Sequence, residues 1–346
     1  MTGSLREELL QRSNNHASST NCWQAISDGV GWHEPTPSHC WLAGSRTVSV
    51  VIPARQVGYC LRTVLDALEV QHHRYRFEVI VVDDASTDDT ARIASSHRVV
   101  DRFVSLPRRM GAATARNVGT ALAGGETVLY LDGDVVVPPH VITDIAARAT
   151  DTTLLVGFQH HLAYEDHFRD PALLARVPRL EFDTRVVWRP PAGRRLPYTG
   201  ITLDKPLDGR PLDGTRDFID LGHGRRYYDW DLPRMVASAV LAAPRSAVLE
   251  IGGFDSEFDR IGRAMADTYL GACLIAAGLL VIPLRQAVGF HLDPPDAPQQ
   301  WQHKTATLPR TVALFQSLLD RPAPQGRTEG FIADMSTLLQ HCKEGP

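Results

Sequence analysis

The sequence is poor in cysteine, has no dominant charge and lacks a long apolar run, and each shortage removes a class of protein. Cys22, Cys40, Cys60, Cys273 and Cys342 are the five cysteines of 346 residues, odd in number and scattered, with no CxxC pair. A zinc site or redox dithiol is therefore not expected, and the thiols read as reduced groups of a cytoplasmic protein. A formal net charge of −4 supplies no field to gather nucleic acid or an anionic membrane. The uncharged stretch from Tyr269 to Leu284 is interrupted by Gly271, Gly278 and Pro283 and falls short of a bilayer span. The opening MTGSLREELLQ carries acids and no apolar signal core, so secretion is not expected.

What is present is an alternation. Residues 1–46 are rich in Ser, Asn and His yet hold Trp23, Trp32 and Trp41, an irregular lead-in that either packs on the main domain or binds something. From Thr47 the pattern becomes regular: a β-branched strand ending at Pro53, a helix over Cys60 to Val70, and a strand over Phe77 to Val82 that runs into Asp83 and Asp84. Ser86 with Asp89 fits a capping box opening the next helix, which makes Asp88 and Asp89 cap and dipole partners. A helix over Val141 to Ala149 and a strand over Thr153 to Val156 follow. Strands alternating with helices across short connections predict an α/β fold, a parallel sheet covered on both faces that binds ligands at the carboxyl ends of its strands.

One stretch organises this reading. In VLYLDGDVVVPP, residues 128–139, an apolar strand ends abruptly in Asp132, Gly133 and Asp134. Two acids one residue apart can hold a divalent cation, because hard cations take oxygen ligands and a glycine allows close backbone approach. An ordinary Asp-Gly turn is the alternative. Asp83, Asp84, Asp132 and Asp134 fall at one predicted sheet edge, where four carboxylates repel one another unless a cation or hydrogen-bond donors neutralise them. Between these strands Arg116 sits in a small-residue helix, suited to a phosphate or to a salt bridge with one of the aspartates. The small residues allow close approach of that helix to the sheet.

Residues 160–231 mix Arg, Asp, Pro and Gly with Tyr198, Tyr227, Tyr228 and Trp230. So long an irregular insertion is a binding surface, a lid or a decorated loop. Order returns at Val236 to Ala243, then GGFD with Asp255, then a helix over Arg263 to Gly278 with Asp267 near its start, where an acid also serves as a dipole partner. A last strand, Leu279 to Pro283, leads on to His291, a structural histidine or a ligand. The tail has helical stretches near Val312 to Leu319 and Gly330 to Leu339.

In this order VSVVIPA, FEVIVVDDASTDDT, GAATARNVGTALAGGETVLYLDGDV, GGFD and the Asp267 helix resemble the family 2 glycosyltransferases, closely over 47–137 and more loosely over 236–291. The resemblance implies a GT-A fold, a Rossmann-like, mainly parallel sheet flanked by helices, with a nucleotide-sugar half at 47–157, an acceptor half at 158–293 and a helical tail at 294–346. It implies an inverting transferase that uses a nucleotide-diphosphate sugar, most often a UDP-sugar, with Mn²⁺ or Mg²⁺. On it, Pro53, Ala54 and Arg55 line the donor nucleotide pocket, Asp84 beside Asp83 contacts base or ribose, and Arg116 lies near base and phosphates. Asp132 with Gly133 and Asp134 corresponds to the DxD element, Asp132 near ribose and metal and Asp134 a metal ligand, while His291 resembles a further metal or diphosphate contact. Asp267 corresponds to the catalytic base. Asp255, Tyr228 and Trp230 are candidate acceptor contacts, the acceptor being a glycan, a peptide or a small natural product. The sequence departs from the family at Arg55, where an aromatic is frequent, and at Ala266, which replaces the acid before the base. It also lacks the QxxRW motif of processive polymerases, which points to a single transfer. A binding protein that has lost catalysis, suggested by Ala266, and a nucleotidyltransferase, disfavoured by the poor phosphate loop at Pro53 to Gly58, are the alternatives.

Overall fold

Aliphatic runs become strands and the amphipathic runs between them become covering helices in the computed structural model, which describes residues 3–12, 14, 46–71, 75–179, 182, 183, 185, 232–262 and 264–345. The first half holds α1 (Leu5–Gln11), β1 (Val48–Ala54), α2 (Leu61–Glu69), β2 (Phe77–Asp83), α3 (Thr90–Ser96), β3 (Arg102–Ser105), α4 (Ala112–Leu122), β4 (Thr127–Leu131) and β5 (Val135–Val136). After α5 (Val141–Arg148) come β6 (Thr153–Leu162), α6 (Tyr164–Arg169) and a 3₁₀ turn, Pro171–Ala175. Beyond residue 231 are α7 (Leu232–Met235), β7 (Val240–Pro244), α8 (Arg245–Ile251), α9 (Glu257–Ile261) and α10 (Ala266–Ala276). The chain finishes with β8 (Leu280–Leu292), α11 (Ala297–Leu319), α12 (Thr328–Leu339) and β9 (Lys343–Glu344). Trp23, Trp32 and Trp41, Cys22 and Cys40, and Tyr198, Tyr227, Tyr228 and Trp230 lie outside the described residues.

The strands form one sheet in the order β5-β8-β6-β7-β4-β1-β2-β3-β9. The long registers β1 with β2 and β4, β2 with β3, and β6 with β8 are parallel. Among the strands of the described residues, those that pair antiparallel are β7, between β4 and β6, and the two-residue end strands β5 and β9. This is a helix-flanked, mainly parallel α/β architecture, as the alternation of strands and helices predicts. Period-two alternation splits each central strand between two cores. Val51, Ile80, Val82, Val128 and Tyr130 face α4, α8 and α10, while Val50, Ile52, Val79, Val81, Leu129 and Leu131 face α2, α3 and α5. Each such aliphatic side chain, buried completely, contributes about 1.5–3 kcal/mol.

Two strands run further than their sequence suggests. The strand expected to end at Val156 continues to Leu162, and the one expected to end at Pro283 continues to Leu292. The two interruptions coincide: Pro283 pairs with Val156 where the register shifts before Phe158, so the residue that cannot donate a ladder hydrogen bond sits at the irregularity. The capping box of Ser86 and Asp89 does not form. The hydroxyl of Ser86 accepts from the N–H of Gln56, and Asp88 caps α3 by accepting from the N–H of Thr90 at 3.1 Å while its other oxygen accepts from Gly58 at 2.9 Å. The Ser and the acid thus join two strand ends instead of bracketing one helix. In the tail the helix expected near 312–319 begins at Ala297 and carries Pro309 inside it. Among the described residues Cys60, Cys273 and Cys342 are free thiols, and no helix is long and apolar enough to cross a membrane.

The close approach of α4 to the sheet rests on Gly119, where a Cβ would lie 2.2 Å from the Cγ1 of Val51. Gly119→Ala should destabilise the protein by about 1–3 kcal/mol through overpacking, against roughly 1 kcal/mol of gained helix propensity. A lowered urea midpoint checks this, and an unchanged one would mean that the helix is free to lift.

Candidate active site

Strand direction fixes where the site lies. β1, β2 and β4 are parallel, and β7, antiparallel to both β4 and β6, leaves β6 and its partner β8 pointing the same way as β4. The carboxyl ends of β1, β2, β4, β6 and β8 therefore share one edge with the start of β7. Asp83, Asp84, Asp132, Asp134, His291 and the segment before β7 all meet there.

Three of the four aspartates are satisfied by donors of the protein, and Asp134 keeps an oxygen without one. Buried Asp83 accepts from the N–H of Ser86 at 3.1 Å and from the hydroxyl of Ser105 at 2.9 Å. Asp84, also buried, accepts from the N–H groups of Met110 at 2.5 Å and Gly111 at 3.0 Å, which tethers the loop leading into α4. Arg55 donates to the carbonyl oxygens of Asp84 and Ala85 at 2.5 and 3.0 Å, so it braces the turn after β2. Ala85 and Gln56 both take left-handed φ values of 53°, a costly conformation for residues with a Cβ, at adjoining strand ends. Pro53 and Ala54 close β1 beside this turn. Gly133 packs so tightly that a Cβ would meet Val57 at 3.2 Å and the carbonyl oxygen of Pro53 at 3.4 Å, which explains a glycine between the two acids.

Asp132 accepts from Arg116 at 2.7 Å, so the salt-bridge alternative for Arg116 is realised. The guanidinium also lies over the ring of Phe254, 5.3 Å from its centroid. The GGFD turn seats that ring: Gly252 and Gly253 have φ values of 84° and 73°, and the side-chain amide of Asn117 makes two 2.8 Å hydrogen bonds to the backbone of Phe254. Burial disfavours the charge of Arg116, but Asp132 and Asp267 outweigh it and hold the group protonated. Asp255 accepts from the N–H of Glu257 at 2.9 Å and so starts α9.

Asp134 differs from the others. Its Oδ1 is buried without a hydrogen-bond partner and lies 3.6 Å from Nε2 of His291. Burial, reinforced by Asp132, raises the Asp134 carboxyl above its usual range, with His291 opposing. Burial pulls His291 down, yet Asp134, Asp293 and Asp132 outweigh it and hold the imidazole up at about 9. Asp132, Asp134 and His291 each offer a ligand atom, all within 4.8 Å of one another. Two hard carboxylate oxygens and one imidazole, with an orphaned buried oxygen among them, suit a divalent cation such as Mn²⁺ or Mg²⁺. The three residues singled out as metal ligands are thus brought together.

Asp267 occupies the first turn of α10, after Met265 in a left-handed conformation with φ of 71°. Its two oxygens accept from the N–H of Ser238 at 3.2 Å and the hydroxyl of Ser238 at 2.9 Å. The next residue, Ala239, accepts through its carbonyl from the N–H of Asp132 at 3.2 Å, so one dipeptide ties Asp267 to the DGD turn. Ser238 had no sequence signal, because only the reversed direction of β7 brings its entrance to this edge. His161 and Asp293 were missed as well, since one lies in a strand extension and the other directly follows one, both concealed by Gly157 and Pro283.

Residues 49–200 match the model described as glycosyl transferase family 2. Over these residues, somewhat less than half of its length, the chain is similar to the family 2 glycosyltransferases. The glucosyl-3-phosphoglycerate synthase of Mycobacterium tuberculosis is 34% identical over 119 residues, 31% of this chain and 36% of the relative. An undecaprenyl-phosphate 4-deoxy-4-formamido-L-arabinose transferase of Pseudomonas savastanoi is 34% identical over 116 residues, 32% of this chain and 34% of the relative. These matches span about a third of the curated relatives' length. Among solved structures, the mannosyltransferase PcManGT of Pyrobaculum calidifontis, in complex with GDP-Man and Mn²⁺, superposes with a TM-score of 0.48 at 18% identity, over 97% of this chain and 84% of that one. The matched residues therefore cover β1 to β4 with their acids, whereas Asp267 and His291 lie beyond residue 200.

Because the folded environment raises His291 from about 6.5 to about 9, its charged form stabilises the metal-free protein fully below pH 6.5 and less as pH climbs towards 9. Denaturation midpoints measured with chelator should fall across this window, and His291→Asn should flatten the fall.

Proposed function

We propose that this protein is a metal-dependent inverting glycosyltransferase that moves one sugar from a nucleotide-diphosphate donor, a UDP-sugar, to a hydroxyl-bearing acceptor. The observation that carries the reading is the convergence of Asp132, Asp134 and His291 at the sheet edge, with the orphaned Oδ1 of Asp134 among them. Asp132, Asp134 and His291 would hold Mn²⁺ or Mg²⁺, which stabilises the charge on a leaving diphosphate by several kcal/mol.

The chain's own residues do the rest. Arg116, Pro53, Ala54, Arg55, Asp83 and Asp84 shape the nucleotide pocket, the last two by fixing the loops after β2 and β3 through backbone hydrogen bonds. Asp267 acts as general base, a role worth about 10² to 10⁴ in rate. The N–H and O–H of Ser238 each donate to one carboxylate oxygen of Asp267, which leaves those oxygens acceptor capacity for a substrate proton while the carboxylate stays oriented. As the acceptor oxygen attacks the anomeric carbon, its proton passes to Asp267, the new C–O bond forms and the bond to the diphosphate breaks on the opposite face. Attack opposite the leaving group inverts the anomeric configuration.

A second reading, a donor-binding protein with impaired transfer, draws on Ala266, which is buried at the start of α10 where the family carries an acid. Release of UDP from UDP-sugars with Mn²⁺ separates the two, since a working site hydrolyses its donor slowly even without acceptor.

Asp134→Ala should abolish metal-stimulated UDP release. Asp267→Asn should keep donor affinity within a few-fold by calorimetry while lowering transfer by about 10² or more. Parent-like transfer by both variants would remove these residues from the mechanism.

A further inference from the structure

We propose that Asp293, held by His161, orients His291 for metal coordination and is thereby a positioning residue of the site; the inference rests on the metal reading above. Sheet register builds the arrangement. His161 in β6 and His291 in β8 are direct partners across a parallel pair, so their side chains emerge side by side, with ring centroids 4.4 Å apart. On the other flank of β8, His291 pairs with Val135, next to Asp134.

A single oxygen of Asp293 lies between both imidazoles: Oδ1 is hydrogen-bonded to Nδ1 of His161 at 3.0 Å and stands 3.3 Å from Nδ1 of His291, a buried nitrogen with no hydrogen-bond partner that a small turn of the ring would bring into line with it. With Nδ1 of His291 turned to a carboxylate, Nε2 is the nitrogen that faces Asp134, at 3.6 Å. A carboxylate that takes the Nδ1–H of a histidine fixes its tautomer, leaves the Nε2 lone pair for a cation and makes the ring more basic. His161 gives the same oxygen a second donor and so fixes the direction of Asp293.

The backbone beneath this carboxylate is clamped. The N–H of Asp293 donates to the carbonyl of Leu162 at 2.9 Å, and that of Leu292 donates to the carbonyl of Asp134 at 2.8 Å. The hydroxyl of Tyr59 donates to the carbonyl of Leu292 at 2.8 Å, and Nε2 of His167 lies 3.2 Å from the carbonyl of Asp293.

The test is Mn²⁺ binding by the full chain, read as the loss of the free-ion electron paramagnetic resonance signal, with and without UDP. The parent should bind one equivalent and Asp134→Ala none. Asp293→Ala should weaken binding roughly 10- to 100-fold, Asp293→Asn, which keeps an acceptor oxygen, should recover part of the loss, and His161→Ala should weaken it less than Asp293→Ala. With Co²⁺ in place of Mn²⁺, the visible absorption of Asp293→Ala should shift, which a loss of packing elsewhere would not produce. Parent-like affinity in folded Asp293→Ala, judged by near-ultraviolet circular dichroism, would overturn the proposal. So would a second equivalent in the parent that only the Asp293 and His161 variants lose, since these residues would then be ligands of another ion. Equal binding, or none, by the parent and Asp134→Ala would instead overturn the metal reading on which the proposal stands.

Discussion

Carboxylate repulsion at one edge of a parallel sheet is the constraint that the rest of this structure answers. Parallel strands bring their carboxyl ends together, and this chain places Asp83, Asp84, Asp132 and Asp134 at those ends. Each is dealt with differently. Asp83 takes hydroxyl and amide donors, Asp84 takes two backbone amides, and Asp132 takes the guanidinium of Arg116. Only Asp134 keeps a buried oxygen without a hydrogen-bond partner. The proposed metal site lies at the acid that the fold leaves unsatisfied, in line with the rule that a buried polar group without a partner calls for an explanation.

The first half of the molecule was legible because its signals are local. β1, β2 and β4 are short aliphatic runs ended by Pro or Asp, and the carboxylates that end them are adjacent in sequence to the strands that position them. The small residues of α4 announced its close packing, and Gly119 against Val51 is the physical form of that signal. The second half was less legible because tertiary pairing overrides local breakers there. Gly157 and Pro283 each read as a strand end, yet they face one irregularity in the β6 and β8 pair and the ladder resumes beyond it. With the ladder's continuation hidden, so were the partners of His291.

Function followed the same division. Asp132, Asp134 and His291, proposed as ligands from a motif and from one isolated histidine, do converge, but sequence could not tell which nitrogen of His291 faces the acids. Asp267 was singled out by the resemblance, whereas Ser238, which hydrogen-bonds it, belongs to the entrance of β7, which runs against both of its neighbours. Residues that carry charge were visible; residues that aim it were not.

The reversed direction of β7 has one more effect. Since β6 ends and β7 begins at the same edge, the stretch of chain between Leu162 and Ser238 both departs from the site and returns to it. The two ends of that stretch are fastened to the sheet edge through His167, Asp183 and Arg185, so only what lies between these anchors can vary without moving a strand. A fold built on this plan can change what it carries between two anchored strand ends while the sheet edge stays fixed.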